Sequence, residues 1–157
     1  MSKQELLIGC GSNHDKRLTL DGTAEWTNLT TLDYHGMHKP DIEWDLMDMP
    51  LPFPDNFFDE IHAYEVLEHT GAQGDYKLFF HQFTRFWEVL KPDGLFLATI
   101  FGRDTLDELR SALLEAEIAE SGGAGPRVSP FTDVRDAGAL LQRADRKSTR
   151  LNSSHRT

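Results

Sequence analysis

Asp45 to His69 reads DLMDMPLPFPDNFFDEIHAYEVLEH, and the order of residue types in this stretch decides the fold class. Pro50, Pro52 and Pro54 keep its first half out of regular structure, because each lacks a backbone N–H and has its φ locked. Phe58 to Tyr64 then forms a short apolar strand, and a dense polar cluster from Glu65 to His69 follows at once. In an open α/β sheet, ligands sit in the crevice outside the carboxyl ends of the strands. The stretch therefore points to a small-molecule site.

Upstream, Glu5-Leu6-Leu7-Ile8 ends in Gly9-Cys10-Gly11, which reads as a buried strand entering a tight turn. Ser12 to Asn28 is polar, has no clear helical period and is expected as a loop with at most one short helix. Leu29 to Tyr34, rich in β-branched residues, is the second strand, and Asp41 to Leu46 a third. Downstream, Asp75 to Leu90 is a helix: Phe79, Phe83, Phe86 and Leu90 recur at three- and four-residue steps, with Trp87 widening the apolar face. These aromatics read as core. Pro92-Asp93-Gly94 makes a turn before a fifth strand, Leu95 to Ile100.

Asp104 caps a second helix reaching about Ala119, with Leu106, Leu109, Leu113 and Ala116 on one face. Ser121 to Pro126 breaks it, and a last helix is expected from Asp133 to Ala144. Strands alternating with helices predict parallel βα units, hence an α/β fold with a doubly wound, Rossmann-like, mostly parallel sheet. With 157 residues, the chain is long enough for one ordinary core. Residues 1–144 are read as that single domain.

The formal net charge of −10 repels phosphate backbones and disfavours nucleic-acid binding. No apolar run approaches the ~20 residues of a membrane helix, and no signal peptide is visible. A cytoplasmic setting is expected. Cys10 is the sole cysteine, which excludes an intrachain disulfide. The histidines at 14, 35, 38, 62, 69, 81 and 155 are scattered without metal-ligand spacing, so no metal is expected.

The Gly9-Cys10-Gly11 turn lets backbone approach a ligand closely. Counting G-x-G-x-x-G from Gly9 puts His14 where the third glycine would stand, which disfavours a dinucleotide of the dehydrogenase kind. Asp33, at the end of strand two, suits both hydroxyls of a ribose. Asp45 can accept from an adenine amino group while the Leu46 amide donates to the ring, with Asp48 and Asp55 as neighbouring competitors. After strand four, Glu65, Glu68 and His69 are the candidate acids and bases, and they do not make a triad.

This assembled order resembles the class I S-adenosylmethionine-dependent methyltransferases, in particular the type 11 group. The matching segments are LLIGCGSN, TTLDY, WDLMDMPLPFPDNFFDEIHAYEVLEH and FTRFWEVLKPDGLFLAT. The resemblance implies S-adenosyl-L-methionine as cofactor, held by Gly9, Cys10, Gly11, Asp33, Asp45, Leu46 and Glu65. It implies methyl transfer to a small-molecule or carrier- or protein-linked acceptor, and it leaves the oligomeric state open. The alternatives are a non-catalytic, assembly-factor-like scaffold and, less favoured, an NAD-dependent oxidoreductase.

Beyond Thr99 the chain resembles relatives of the biotin-pathway malonyl-carrier-protein methyltransferases, a group that includes a respiratory complex I assembly factor. A seam between two sources would lie in KPDGLFLA. Asp145 to His155 resembles a translated sequencing adapter, so 145–157 is set apart from the fold. The family's sheet continues past its fifth strand, so the expectation is a sheet truncated after about five strands, with an exposed edge.

Overall fold

A computed structural model describes residues 2–19, 22–48, 50–69, 76–99, 106–122 and 139. Five strands form one sheet: β1 (Glu5–Ile8), β2 (Leu29–Asp33), β3 (Ile42–Glu43), β4 (Phe58–Tyr64) and β5 (Leu90–Thr99). Their order is β3-β2-β1-β4-β5, and every neighbouring pair is parallel. The order turns back between β1 and β4, which opens a crevice beyond their carboxyl ends, where such sheets bind ligands. The α/β parallel sheet read from the sequence is the one observed.

The helix α1 (Tyr76–Val89) carries the chain from β4 to β5. Its Phe83, Phe86 and Val89 are buried with Leu6, Ile8, Leu32, Phe58, Ile61 and Leu90. Phe86 stacks on Phe96 of β5 with ring centroids 5.5 Å apart. Burying a side chain of this size is worth about 1.5–3 kcal/mol, so this face of the sheet is held by apolar area. The other face carries a smaller cluster of Leu7, Cys10 and Tyr64, flanked by Leu18, Trp26 and Leu29.

The boundaries of β3 and β5 differ most from the sequence reading. β3 is only Ile42–Glu43, because the Asp41 carboxylate accepts from both the N–H and the hydroxyl of Thr31, at 2.8 Å each, in place of the ladder there. At its far end, Asp45 folds the chain into a turn. β5 begins at Leu90, directly after α1. The expected Pro92-Asp93-Gly94 turn survives inside β5 as an irregularity: Phe58 pairs with Leu90, yet Glu60 pairs with Leu95. Between β1 and β2, no described residue is helical.

The chain divides into two compact units. The second contains α2 (Asp107–Ser121), which ends at the expected break, on a left-handed glycine, Gly122, whose N–H donates to the Ile118 carbonyl at 3.1 Å. Leu106, Leu109 and Leu113, expected on one face of this helix, are exposed. The expected cap, Asp104, lies outside the described residues. So do the 133–144 helix, apart from Ala139, and the tail.

Candidate functional site

The glycine turn is shaped by backbone that other residues adopt poorly. Gly9 has φ +59°, and a Cβ there would stand 2.3 Å from Val66 Cγ2. Gly11 has φ +53° and faces open space. The Leu32 carbonyl accepts from the N–H of Gly9 at 2.8 Å and of Cys10 at 3.3 Å, which ties the turn to β2. One residue further along β2, the buried Asp33 closes the corner. Its Oδ2 accepts from the Gly11 N–H at 2.9 Å, and its Oδ1 from the His35 N–H at 2.8 Å. Each carboxylate oxygen has two lone pairs, so both keep one acceptor site after these bonds.

The loop after β3 is set by its own side chains. Asp45 Oδ1 accepts from the Met47 N–H and its carbonyl from the Asp48 N–H, at 2.8 and 2.9 Å. The buried Gln82 of α1 donates to the Leu46 carbonyl at 3.3 Å and fixes the loop from below. Asp45 is exposed, whereas Leu46 is buried. On the third side, Glu65 follows β4 with φ +55°, and its N–H donates to the Thr99 carbonyl at 3.1 Å.

These pieces surround one cavity of about 630 Å³. Gly9, Gly11, Asp33, Asp45, Leu46 and Glu65 line it, as does His69 from the candidate acid–base set. Glu68 does not line it. Cys10 also lies off the cavity: its side chain packs with Leu7 and Tyr64 beneath the turn. Burial and then the Asp33 carboxylate push its thiol up to about 11, so it stays protonated near neutral pH. The sequence reading gave no site role to Leu32, Tyr34, His35, His38, Trp44, Met47 and Val66, which complete the lining. The aromatic residues directly after Asp33 and before Asp45 were the available signal.

Below the turn lies a network that spacing along the chain did not reveal. Glu5 of β1 pairs with Glu60 of β4 in the parallel register, so two carboxylates meet on one buried face. Lys16 reaches in from the loop, with Nζ 2.5 Å from Glu5 Oε1 and 3.3 Å from Glu60 Oε2. Lys3 adds a second cation, 2.5 Å from Glu60 Oε1. Burial opposes the charge on Glu60, yet bonds led by Lys3 and His62 outweigh it and hold the carboxyl down at about 2. Burial also disfavours charge on Lys16, but hydrogen bonds to Glu5 and Glu60 prevail and raise its pKa. Glu5, Glu60 and His62 bring possible metal-ligand atoms within 4.8 Å of one another. The Lys16 ammonium already supplies the cation there.

His62 continues the network in one direction only. The Tyr64 oxygen accepts from the backbone N–H groups of Arg17 and Leu18, both at 3.2 Å. Its own proton therefore goes to His62 Nδ1, 2.6 Å away, and His62 Nε2–H donates to Glu60 Oε2 at 3.1 Å. Burial keeps His62 neutral by lowering its pKa, against the pull of Glu60.

Comparison with known proteins adds independent findings. The family described as Methyltransferase domain matches residues 6–98. The rat protein named Arginine-hydroxylase NDUFAF5, mitochondrial, is 36% identical over 87% of this chain and 40% of its own length. A span of that size crosses KPDGLFLA wherever it is placed, so this likeness is not confined to the part after Thr99. A Malonyl-[acyl-carrier protein] O-methyltransferase from Xylella fastidiosa is 41% identical over 38% of this chain and 18% of its own length. The chain thus spans less than half the length of these curated relatives. A solved SAM-dependent methyltransferase from Methanosarcina mazei shares the fold, with a TM-score of 0.61 and 16% identity over 91% of this chain and 79% of that one. Among the described residues, no helix is long and apolar enough to cross a membrane.

Proposed function

The chain belongs to the methyltransferase-domain family, and on that premise we propose that it binds S-adenosyl-L-methionine in this cavity and transfers the methyl group to an acceptor. The observation that carries the reading is Asp33, pinned by two backbone N–H groups with one acceptor site left on each oxygen. That is the acceptor set two adjacent ribose hydroxyls require. The cavity of about 630 Å³ falls within the ~300–1,000 Å³ typical of ligand sites. Gly9 and Gly11 supply backbone that can approach the ligand closely, and Asp45 and Leu46 present a carboxylate and an amide for an adenine edge.

When bound, the cofactor supplies a methyl group activated on a sulfonium. The chain's contribution is orientation and exclusion of water, which favour an in-line attack. A carboxylate acceptor needs no base. For a hydroxyl or amine acceptor, Glu65 or His69 on the cavity wall can take the proton, and Glu68 lies further out. The acceptor class we favour is a small molecule or a carrier- or protein-linked group.

A dinucleotide fits poorly. Its pyrophosphate needs a helix N-terminus after the glycine turn, and the described residues from Ser12 to Thr19 form none. A second reading, protein arginine hydroxylation, is favoured by the identity to the rat relative. Cytoplasmic and mitochondrial settings both suit these readings, and subcellular fractionation separates them.

Calorimetric titration tests the cofactor. S-adenosylmethionine is expected to bind and NAD not, and the reverse would overturn the reading. Asp33→Ala should weaken binding at least ~10-fold, the scale of lost hydrogen bonds to a charged group. Gly9→Ala should do the same, because Val66 has to move. With an arginine peptide, mass spectrometry separates the two activities: a gain of one methylene marks methylation, a gain of one oxygen marks hydroxylation.

A further inference from the structure

The lining of the cavity carries fixed charge of one sign. Asp33, Asp45 and Glu65 bring three carboxylates to it, beside His35, His38 and His69, and no described lysine or arginine lines it. Under the glycine turn the pattern is different, because Lys3 and Lys16 stand against Glu5 and Glu60 there. Outside the lining, Arg17 Nη1 lies 3.5 Å from Glu65 Oε1, with both side chains partly exposed. An exposed pair of this kind is weak. A cleft lined by one sign of charge gathers ligands of the other and repels its own.

The cofactor reading spends two of these carboxylates on neutral groups, Asp33 on ribose hydroxyls and Asp45 on an adenine amino group. Their negative charge stays in the site. Glu65 stands apart from both, on the side of the cavity formed after β4, where His69 also lies. Its backbone is left-handed, with φ +55°. Its N–H is shared between the Thr99 carbonyl at 3.1 Å and the Thr99 hydroxyl oxygen at 3.2 Å. Strain of this kind persists where the surroundings over-determine it, and it clusters at ligand sites.

We propose that the methyl acceptor is an amine that arrives as its ammonium, and that Glu65 selects it over a carboxylate. The proposal rests on the cofactor reading above and names the acceptor class for that same site. Like charges set against each other reject the wrong ligand, so the acidic lining excludes as well as attracts. The ammonium first gives a proton to Glu65 or His69. The nitrogen lone pair then forms the bond to the methyl carbon, while the carbon–sulfur bond breaks and leaves its electron pair on sulfur.

Two analogues of the cofactor read the acceptor side directly. Both have a tertiary amine in place of the sulfonium sulfur. One carries an aminoethyl arm where the methyl stood, the other a carboxyethyl arm on the same linker. Calorimetry on the full chain is expected to show the aminoethyl analogue binding ~10-fold tighter or more, as like-charge rejection requires. Glu65→Gln should shrink that ratio ~3-fold or more, the scale of one partly exposed charge. A general loss of packing would weaken both analogues and leave the ratio where it was.

Equal affinities, tighter binding of the carboxyethyl analogue, or a preference that survives Glu65→Gln intact would overturn the proposal. So would binding of S-adenosylhomocysteine with neither armed analogue accepted. In each of these cases S-adenosylhomocysteine still binds and the cofactor reading stands. Failure of all three ligands to bind would remove the cofactor reading and the acceptor class together.

Discussion

The two faces of the central sheet are filled by opposite means. On the face covered by α1, Phe58, Ile61, Phe83, Phe86 and Leu90 bury apolar area. On the other, the cover is a loop whose described residues are not helical, and the interior holds Glu5, Glu60, His62 and Lys16. An apolar face tolerates small shifts, because area has no direction. The polar face fixes its loop by direction: Lys16 bridges Glu5 and Glu60, and a chain of bonds runs from Glu60 through His62 and Tyr64 to the backbone of Arg17 and Leu18. The difference teaches where precision is placed, since the polar face lies under the glycine turn and beside Glu65.

The largest effect expected from breaking this contrast comes from Lys16→Met. It leaves the Glu5 and Glu60 carboxylates buried without their shared cation, and uncompensated buried charge costs about 3–5 kcal/mol. Chemical denaturation would register this loss, and a change under 1 kcal/mol, on the scale of an exposed pair, would show that the network is slack. On the apolar face, Ile61→Val removes one methylene and should cost about 0.5–1.5 kcal/mol. That loss should vary little with pH, since Ile61 belongs to a buried cluster of apolar side chains.

A further expected effect is a slope. His62 has its folded pKa lowered from the ordinary 6.5, so below that pH the unfolded chain binds more protons and stability falls. Glu60, lowered from 4.5 to about 2, contributes stability above pH 4.5 and loses it as pH falls towards 2. Acid destabilisation is therefore expected in two stages. His62→Gln should abolish the upper stage and keep the lower, as read by denaturant midpoints across the acid range. An unchanged upper stage would assign it to another group.

Much of the site was legible because its residues sit at strand ends. Gly9, Gly11, Asp33 and Asp45 each follow or end a short apolar run, and parallel pairing carries such ends to one edge. Periodicity also gave α1, since its aromatics recur at helical spacing. The start of β5 was missed because a proline and a glycine signal a turn, and the register of β4 and β5 absorbs that turn as an irregularity. The length of β3 was missed because Asp41 and Asp45 cap its two ends through side-chain bonds that compete with the ladder.

Local residue order by itself determined the bounds of β1 and β4, the glycine turn and the family they resemble, because each depends on neighbours within a few positions. Only the tertiary structure decided that Lys16 neutralises Glu5 and Glu60, that Tyr64 holds Arg17, and that Cys10 lies off the cavity. Those facts depend on which strands pair and in what register. A charged residue in a sequence carries no mark of its partner until folding brings the two within bonding distance.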